Sequence, residues 1–272
     1  MKGACDTHFH VFGSPERYPA RDPKIRYKPP FAPLHHYLEH ARAMGFERFV
    51  FVQPSAYLRD NNCMLDAMRE MPGCRGIVDL DEDAPEAEFA RLDAAGVRGV
   101  RINVSPIHPP EAGLLEKLLP RVRRLEARCA EIGWHLDFLL PGWLTAEMLP
   151  VLAKLRVDHS LAHMGMFLAK DGPSQPGFVR MLRMLKNGIG YVKLTGVYRM
   201  SQAPGFADAA PMARALIEAA PDRLIWGSDY PHLSFADTVT SEQLFDLFQS
   251  WAPDEFTRRK ILVANPARLF GF

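Results

Sequence analysis

Eight times along its 272 residues this sequence repeats one two-part unit, and that repetition constrains the fold more than any other feature. Each unit begins with a short run rich in β-branched and aromatic residues. It continues with a longer stretch whose apolar residues recur at i, i+3 and i+4, the period of a helix packed on one face. The strand-like runs fall at residues 4–10, 48–53, 74–80, 96–103, 133–140, 158–165, 190–196 and 223–232. The first helical stripe is Leu34, Leu38, Ala41 and Met44, stopped at Gly45, a residue suited to a helix C-terminus. Further helical patterns lie at 61–71, 84–96, 113–133, 145–155, 177–188, 210–220 and 240–251. Eight βα units in a chain close to the ~250 residues such barrels use predict the α/β class, a (β/α)8 TIM barrel forming one domain over 1–272. An open, doubly wound sheet fits less well, because no G-x-G-x-x-G follows the first strand.

Charge narrows the partners. Thirty-three Lys and Arg against 32 Asp and Glu create no field that would draw the chain to nucleic acid or an anionic membrane. The opening MKGACDTHFH lacks the apolar run of a secretory signal, and no later stretch reads as membrane-spanning, so a cytoplasmic protein is expected. Cys5, Cys63, Cys74 and Cys129 have no paired spacing and read as reduced core thiols. The long aperiodic, Pro-rich stretch 13–33 would sit at the mouth of a barrel as a lid. Its Arg17, Arg21, Lys24, Arg26 and Lys28 outnumber Glu16 and Asp22, so the mouth is expected to lean positive.

Alternation along a strand places Asp6, His8 and His10 on one face of the first run. A single inward histidine is more often a satisfied core residue than a functional one. Two at the C-terminal end of a barrel strand are different, because that rim carries the active site in this architecture. The sixth run ends in His163, and the eighth ends in Asp229 and His232. Titratable groups gathered at one end of three strands make a poor core and a good site.

In the order DTHFH, AHMG and WGSDYPH, these segments resemble the amidohydrolase superfamily, specifically the amidohydrolase-2 group that includes 2-pyrone-4,6-dicarboxylate lactonase and sugar-acid lactonases. FVFVQPSAYLRDN, GVRGVRIN, GWHLDF and YVKLTGVYR extend the likeness over nearly the whole chain. The resemblance implies that His8, His10, His163 and Asp229 form the catalytic set. In most of the superfamily these groups hold one or two metals, completed by a lysine or glutamate on the fourth strand and a histidine on the fifth. Here the fourth strand offers Arg101, which has no lone pair to give, and the fifth offers His135 and Asp137. A binuclear centre is therefore not expected. The lactonase branch works without metal, so no cofactor is expected, and a single zinc on His8, His10, His163 and Asp229 is the alternative. By the same resemblance Arg101 and Arg199 bind the substrate carboxylate, and Tyr27 and Ser55 line the pocket. His232 bonds Asp229 or the substrate edge, or serves as a structural contact, and Asp137 orients Arg101. The dicarboxylate lactonase has an arginine after the sixth-strand histidine where this chain has Met166, and the segment 102–113 has none, which weakens the case for a dicarboxylate.

The expected partner is a small anionic lactone or carboxylate, and the sequence fixes no oligomeric state. The expected activity is hydrolysis of a carboxylated lactone, an ester-bond hydrolase reaction of aromatic or sugar-acid catabolism. Asp229 would be the general base, with the histidines polarising the carbonyl. A zinc-dependent decarboxylase, a metal-free lactone isomerase and a non-catalytic binding barrel are the rival readings.

Overall fold

In a computed structural model, which describes residues 1–25 and 27–272, the eight strands form one parallel sheet in sequential order. They are β1 (Cys5–Phe9), β2 (Arg48–Val52), β3 (Arg75–Val78), β4 (Val97–Asn103), β5 (His135–Leu139), β6 (His159–Leu161), β7 (Tyr191–Leu194) and β8 (Leu224–Trp226). The sheet closes on itself. Thr7 Oγ1 donates to the Trp226 carbonyl at 2.8 Å, and the amides of Asp229 and His10 donate to the carbonyls of His8 and Tyr230, each at 2.8 Å. A helix follows every strand: α1 (Leu34–Ala43), α2 (Asn62–Arg69), α3 (Glu86–Ala94), α4 (Leu114–Ile132), α5 (Gly142–Leu152), α6 (Pro176–Lys186), α7 (Ala210–Ala219) and α8 (Ser241–Trp251). The architecture is the expected (β/α)8 barrel. α8 starts at a capping box in which the Thr240 side chain accepts from the Gln243 amide and the Gln243 side chain accepts from the Thr240 amide.

Three local departures matter to the site. First, β1 carries a β-bulge: Asp6 pairs with Phe49 and Phe9 with Phe51, three residues against two. The extra residue breaks the alternation, so Asp6 does not share a face with His8 and His10. It turns outward, where its carboxylate accepts from the Tyr37 hydroxyl of α1 at 2.8 Å and from the amides of His8 and Ser228 at 3.0 Å each. Burial raises the Asp6 pKa to about 6 against the pull of those donors. Second, β6 and β8 are shorter than their sequence runs. His163, Asp229 and His232 lie beyond them on tight turns with positive φ values of 50°, 57° and 57°. Third, α9 (Glu255–Arg259), a π-helical turn (Lys260–Ala264) and α10 (Asn265–Phe270) follow α8, where no helix was expected. Leu269 and Phe270 of α10 pack with Cys5, Val50, Val52, Ile77, Tyr191 and Ile225, closing the lower end of the barrel.

The described residues of the stretch 13–33 are tied down rather than hanging free. Phe12 and Ala32 exchange backbone hydrogen bonds, and the amides of Arg21 and Asp22 donate to the Ala56 carbonyl. Arg17 pairs with Asp66 at 2.6 Å and Arg21 with Asp60 at 2.9 Å. These two cations are thus neutralised at the flank of the lid and do not supply the positive mouth expected of them. Arg26 lies outside the described residues.

Candidate active site

His8, His10, His163 and Asp229 converge at the C-terminal end of the barrel, none more than 4% exposed. Oδ1 of Asp229 lies 3.4 Å from His8 Nε2 and 3.5 Å from His10 Nε2, and Oδ2 lies 3.9 Å from His163 Nε2. Close approach is built into the backbone. A Cβ on Gly227 would stand 2.5 Å from that of His8, so only glycine lets this ring seat against the turn after β8.

The two oxygens of Asp229 have different surroundings. Oδ2 accepts from the Tyr198 hydroxyl at 2.6 Å and from Arg199 Nε at 2.9 Å. Oδ1 has no hydrogen-bond partner among the described residues and faces the imidazoles. Burial alone would raise the Asp229 pKa, but the Arg199 guanidinium and the surrounding donors hold it well below the usual carboxylate range. The imidazoles are neutral for the converse reason: burial pushes His163 down to about 3 and His8 well below its ordinary value, and it lowers His10.

Each ring is held by its far nitrogen. His10 Nδ1 lies 2.7 Å from the Val52 carbonyl, which can only accept, so Nδ1 carries the proton and Nε2 of the neutral ring is an acceptor. This differs from the expected role of His10 as a donor to a carbonyl. His163 Nδ1 meets Thr195 Oγ1 at 2.7 Å. His8 Nδ1 lies 3.3 Å from Nζ of Lys193, a fully buried residue that sequence reasoning passed over.

Beneath the histidines, Lys193 Nζ pairs with Asp137 Oδ1 at 2.7 Å, and Ser160 Oγ donates to the same oxygen at 2.6 Å. Arg101 Nε stands 3.9 Å from Asp137 Oδ2, while its NH1 donates to the Gln53 carbonyl at 2.8 Å. Asp137 is therefore first a partner of Lys193, and only secondarily of Arg101. Burial would raise its pKa, but Lys193 and then Arg101 hold it down at about 2. Among the described residues, Arg101, Lys193 and Arg199 are set against Asp137 and Asp229 around the lumen, one cation in excess.

On the lid, Tyr27 places its hydroxyl 3.2 Å from Ser55 Oγ and feels both Arg101 and Arg199. His232 is not brought to the carboxylate of Asp229. Its Nε2 lies 3.2 Å from Ser241 Oγ at the start of α8, its amide donates to the Asp229 carbonyl at 2.8 Å, and its ring packs edge-on against Tyr198 and Tyr230. These contacts brace the turn.

As a metal centre the set fits poorly. His8, His10 and Asp229 can bring three ligand atoms within 4.8 Å of one another. A histidine that binds metal through Nε2 normally donates from Nδ1 to an acceptor. His10 does this, but His8 has an ammonium at Nδ1. Oδ2 of the would-be ligand carboxylate is held by a guanidinium. Cations on both sides of the donor set oppose a further one by simple repulsion.

The amidohydrolase family model matches residues 5–272. The chain belongs to that family. It is 34% identical to the 4-sulfomuconolactone hydrolase of Hydrogenophaga intermedia over 99% of this chain and 89% of the relative. It is 29% identical to the D-galactarolactone isomerase of Agrobacterium fabrum over 99% and 91%. A crystal structure of a candidate 2-pyrone-4,6-dicarboxylic acid hydrolase from Pseudomonas putida superposes with a TM-score of 0.86 at 32% identity, covering 99% of this chain and 97% of that one. No helix among the described residues of this family member is long and apolar enough to cross a membrane.

Proposed function

We propose that this chain hydrolyses a lactone bearing one anionic substituent, without a metal. The observation that carries the reading is the divided environment of Asp229: Oδ2 is immobilised by Tyr198 and Arg199, while Oδ1 is left open toward three neutral imidazoles. A base must be ionised, fixed and able to reach a water, and this arrangement supplies all three.

Both Oδ1 of Asp229 and Nε2 of His10 are acceptors, 3.5 Å apart. A single water can donate one hydrogen to each, which orients its lone pair away from both and toward the substrate. Asp229 Oδ1 takes the proton as the water oxygen bonds to the lactone carbonyl carbon. His8 and His163 face the carbonyl oxygen, on which negative charge collects. When the ring C–O bond breaks, Asp229 returns its proton to the departing alkoxide, and the product is a hydroxy acid. Arg101 and Arg199 supply the positive charge that retains the substrate's anionic group. The excess of one cation matches a singly charged substituent, and Met166, where the dicarboxylate lactonases have an arginine, supports one anionic group over two. The lactone chemistry of the relatives points the same way.

A panel of carboxylated and sulfonated lactones assayed by proton release tests the reading, with metal content measured on the same protein. The expected result is turnover retained after chelation with well under one metal per chain. Stoichiometric zinc, with activity lost on its removal and restored on its return, would make His8, His10, His163 and Asp229 ligands instead. Since one relative is a lactone isomerase, product analysis is part of the assay: an isomerised lactone without a proton released would replace hydrolysis by isomerisation.

A further inference from the structure

Lys193 sits at the third position of β7 with no exposed surface. A lysine in such a place needs an account, because burying an ammonium is costly unless its hydrogens are all used well. Asp137 on β5 explains one of them, at 2.7 Å from Nζ. It does not explain why the chain of Lys193 crosses to β1, where Nζ comes within 3.3 Å of His8 Nδ1. An ammonium has three hydrogens and no lone pair, so in that contact it can only donate. His8 Nδ1 must then be the acceptor and carry no proton.

We propose that Lys193 is a positioning residue which, by donating to His8 Nδ1, bars a proton from that nitrogen and leaves Nε2 as the single N–H of the ring. The consequence is a polarity difference between two rings that look equivalent in the sequence. The Val52 carbonyl sets the proton of His10 on Nδ1, and its Nε2 is an acceptor. Lys193 sets the opposite arrangement on His8, and its Nε2 is a donor. One ring can receive a hydrogen from water while the other gives one to a carbonyl. Barring the second proton also keeps His8 from becoming an imidazolium locked against Asp229 Oδ1, 3.4 Å away. The kinetic side of this inference rests on the lactonase reading. The protonation side does not, because it can be read without turnover.

The test is long-range proton–nitrogen correlation NMR on protein labelled with 15N-histidine, at one neutral pH, comparing wild type with Lys193→Met. The His8 signals are identified by their loss in His8→Gln. In wild type, His8 Nδ1 is expected to be unprotonated and Nε2 protonated. In Lys193→Met, Nδ1 is expected to gain a proton. The kcat on the best lactone should fall about a hundredfold, the scale of a lost acid–base or oxyanion contribution, with KM changed less than about threefold because both arginines remain. Should the bare Asp137 charge prevent that variant from folding, Lys193→Met/Asp137→Asn removes both charges together, the milder change for a buried pair, and the same gain of a proton on Nδ1 is expected. A protonated Nδ1 in wild type, or an Nδ1 that stays unprotonated in the folded variant, overturns the proposal. If wild type turns over no lactone yet His8 gains its proton on loss of Lys193, the substrate reading fails and the positioning role stands.

Discussion

Changing Tyr198 to phenylalanine removes one oxygen atom and leaves the ring in place, against Phe235 at 4.8 Å and under the Arg199 guanidinium at 5.2 Å. The lost atom donates to Asp229 Oδ2 at 2.6 Å, a short, charge-assisted contact with the ionised carboxylate. Bonds of that kind contribute about 1.5–3 kcal/mol to the charged form, and 1.36 kcal/mol corresponds to one pH unit of proton affinity, so the carboxylate should bind a proton roughly one to two units higher in pH. The sign follows from the base role. Asp229 must be ionised to accept a proton, so turnover is lost as pH falls through its pKa, and raising that pKa moves the loss to higher pH. Profiles of kcat/KM against pH for the two proteins measure this directly. In wild type the loss that belongs to Asp229 should lie below the usual carboxylate range, because Arg199 and the donors around it depress its pKa. An acid limb that is identical in Tyr198→Phe would show that Asp229 is not the titrating base.

Asp229→Asn keeps the shape of the side chain but cannot accept a proton, and should nearly abolish turnover while substrate binding, read by calorimetry, stays within about an order of magnitude. Arg101→Met should raise KM for a carboxylated lactone by roughly ten- to a hundredfold, the equivalent of one lost charge-assisted hydrogen bond, and change it little for a neutral lactone; equal losses on both would make Arg101 structural. Gly227→Ala places a methyl group 2.5 Å from the His8 Cβ and should cost about 1–3 kcal/mol in chemical denaturation, with a fall in kcat as His8 is displaced; an unperturbed variant would refute the close-packing argument. Phe270→Ala should cost about 3–5 kcal/mol by opening a cavity beneath the barrel, without altering KM.

The barrel was legible because its signal is a change of period, from two to 3.6, repeated eight times, and that pattern survives errors at any one boundary. The convergence of His8, His10, His163 and Asp229 was legible too, since residues at the C-terminal ends of strands in a closed barrel must meet. Asp6 was misplaced because alternation assumes an unbroken strand, and nothing in CDTHF announces a bulge. Lys193 and Tyr198 lie within YVKLTGVYR, where the family resemblance points only to Arg199, yet a lysine in the middle of an otherwise apolar strand is itself the signal. His232 has the composition of a site residue, and only the contact with Ser241 reveals its supporting role. The segment after α8 hid its helices because Pro253 and Pro266 interrupt the helical pattern.

The turns that present the candidate site have a thermodynamic cost of their own. His163, Met164, Met166, Asp229 and His232 all occupy the left-handed region, with φ between 48° and 58°. Each such non-glycine residue costs about 1–2 kcal/mol, so together they oppose folding by an amount comparable to the ~5–15 kcal/mol net stability of a typical domain. The rest of the barrel must exceed that deficit before the chain can fold at all. It follows that the buried side chains on these turns both aim the site and offset the strain of presenting it. Met164→Gly or Met166→Gly would relax the turn but also empty a buried side chain, a loss of about 2–5 kcal/mol that exceeds the ~1–2 kcal/mol regained, so neither glycine should raise the melting temperature. A laboratory selection for thermostability alone should therefore leave these two methionines in place and find its gains elsewhere in the barrel.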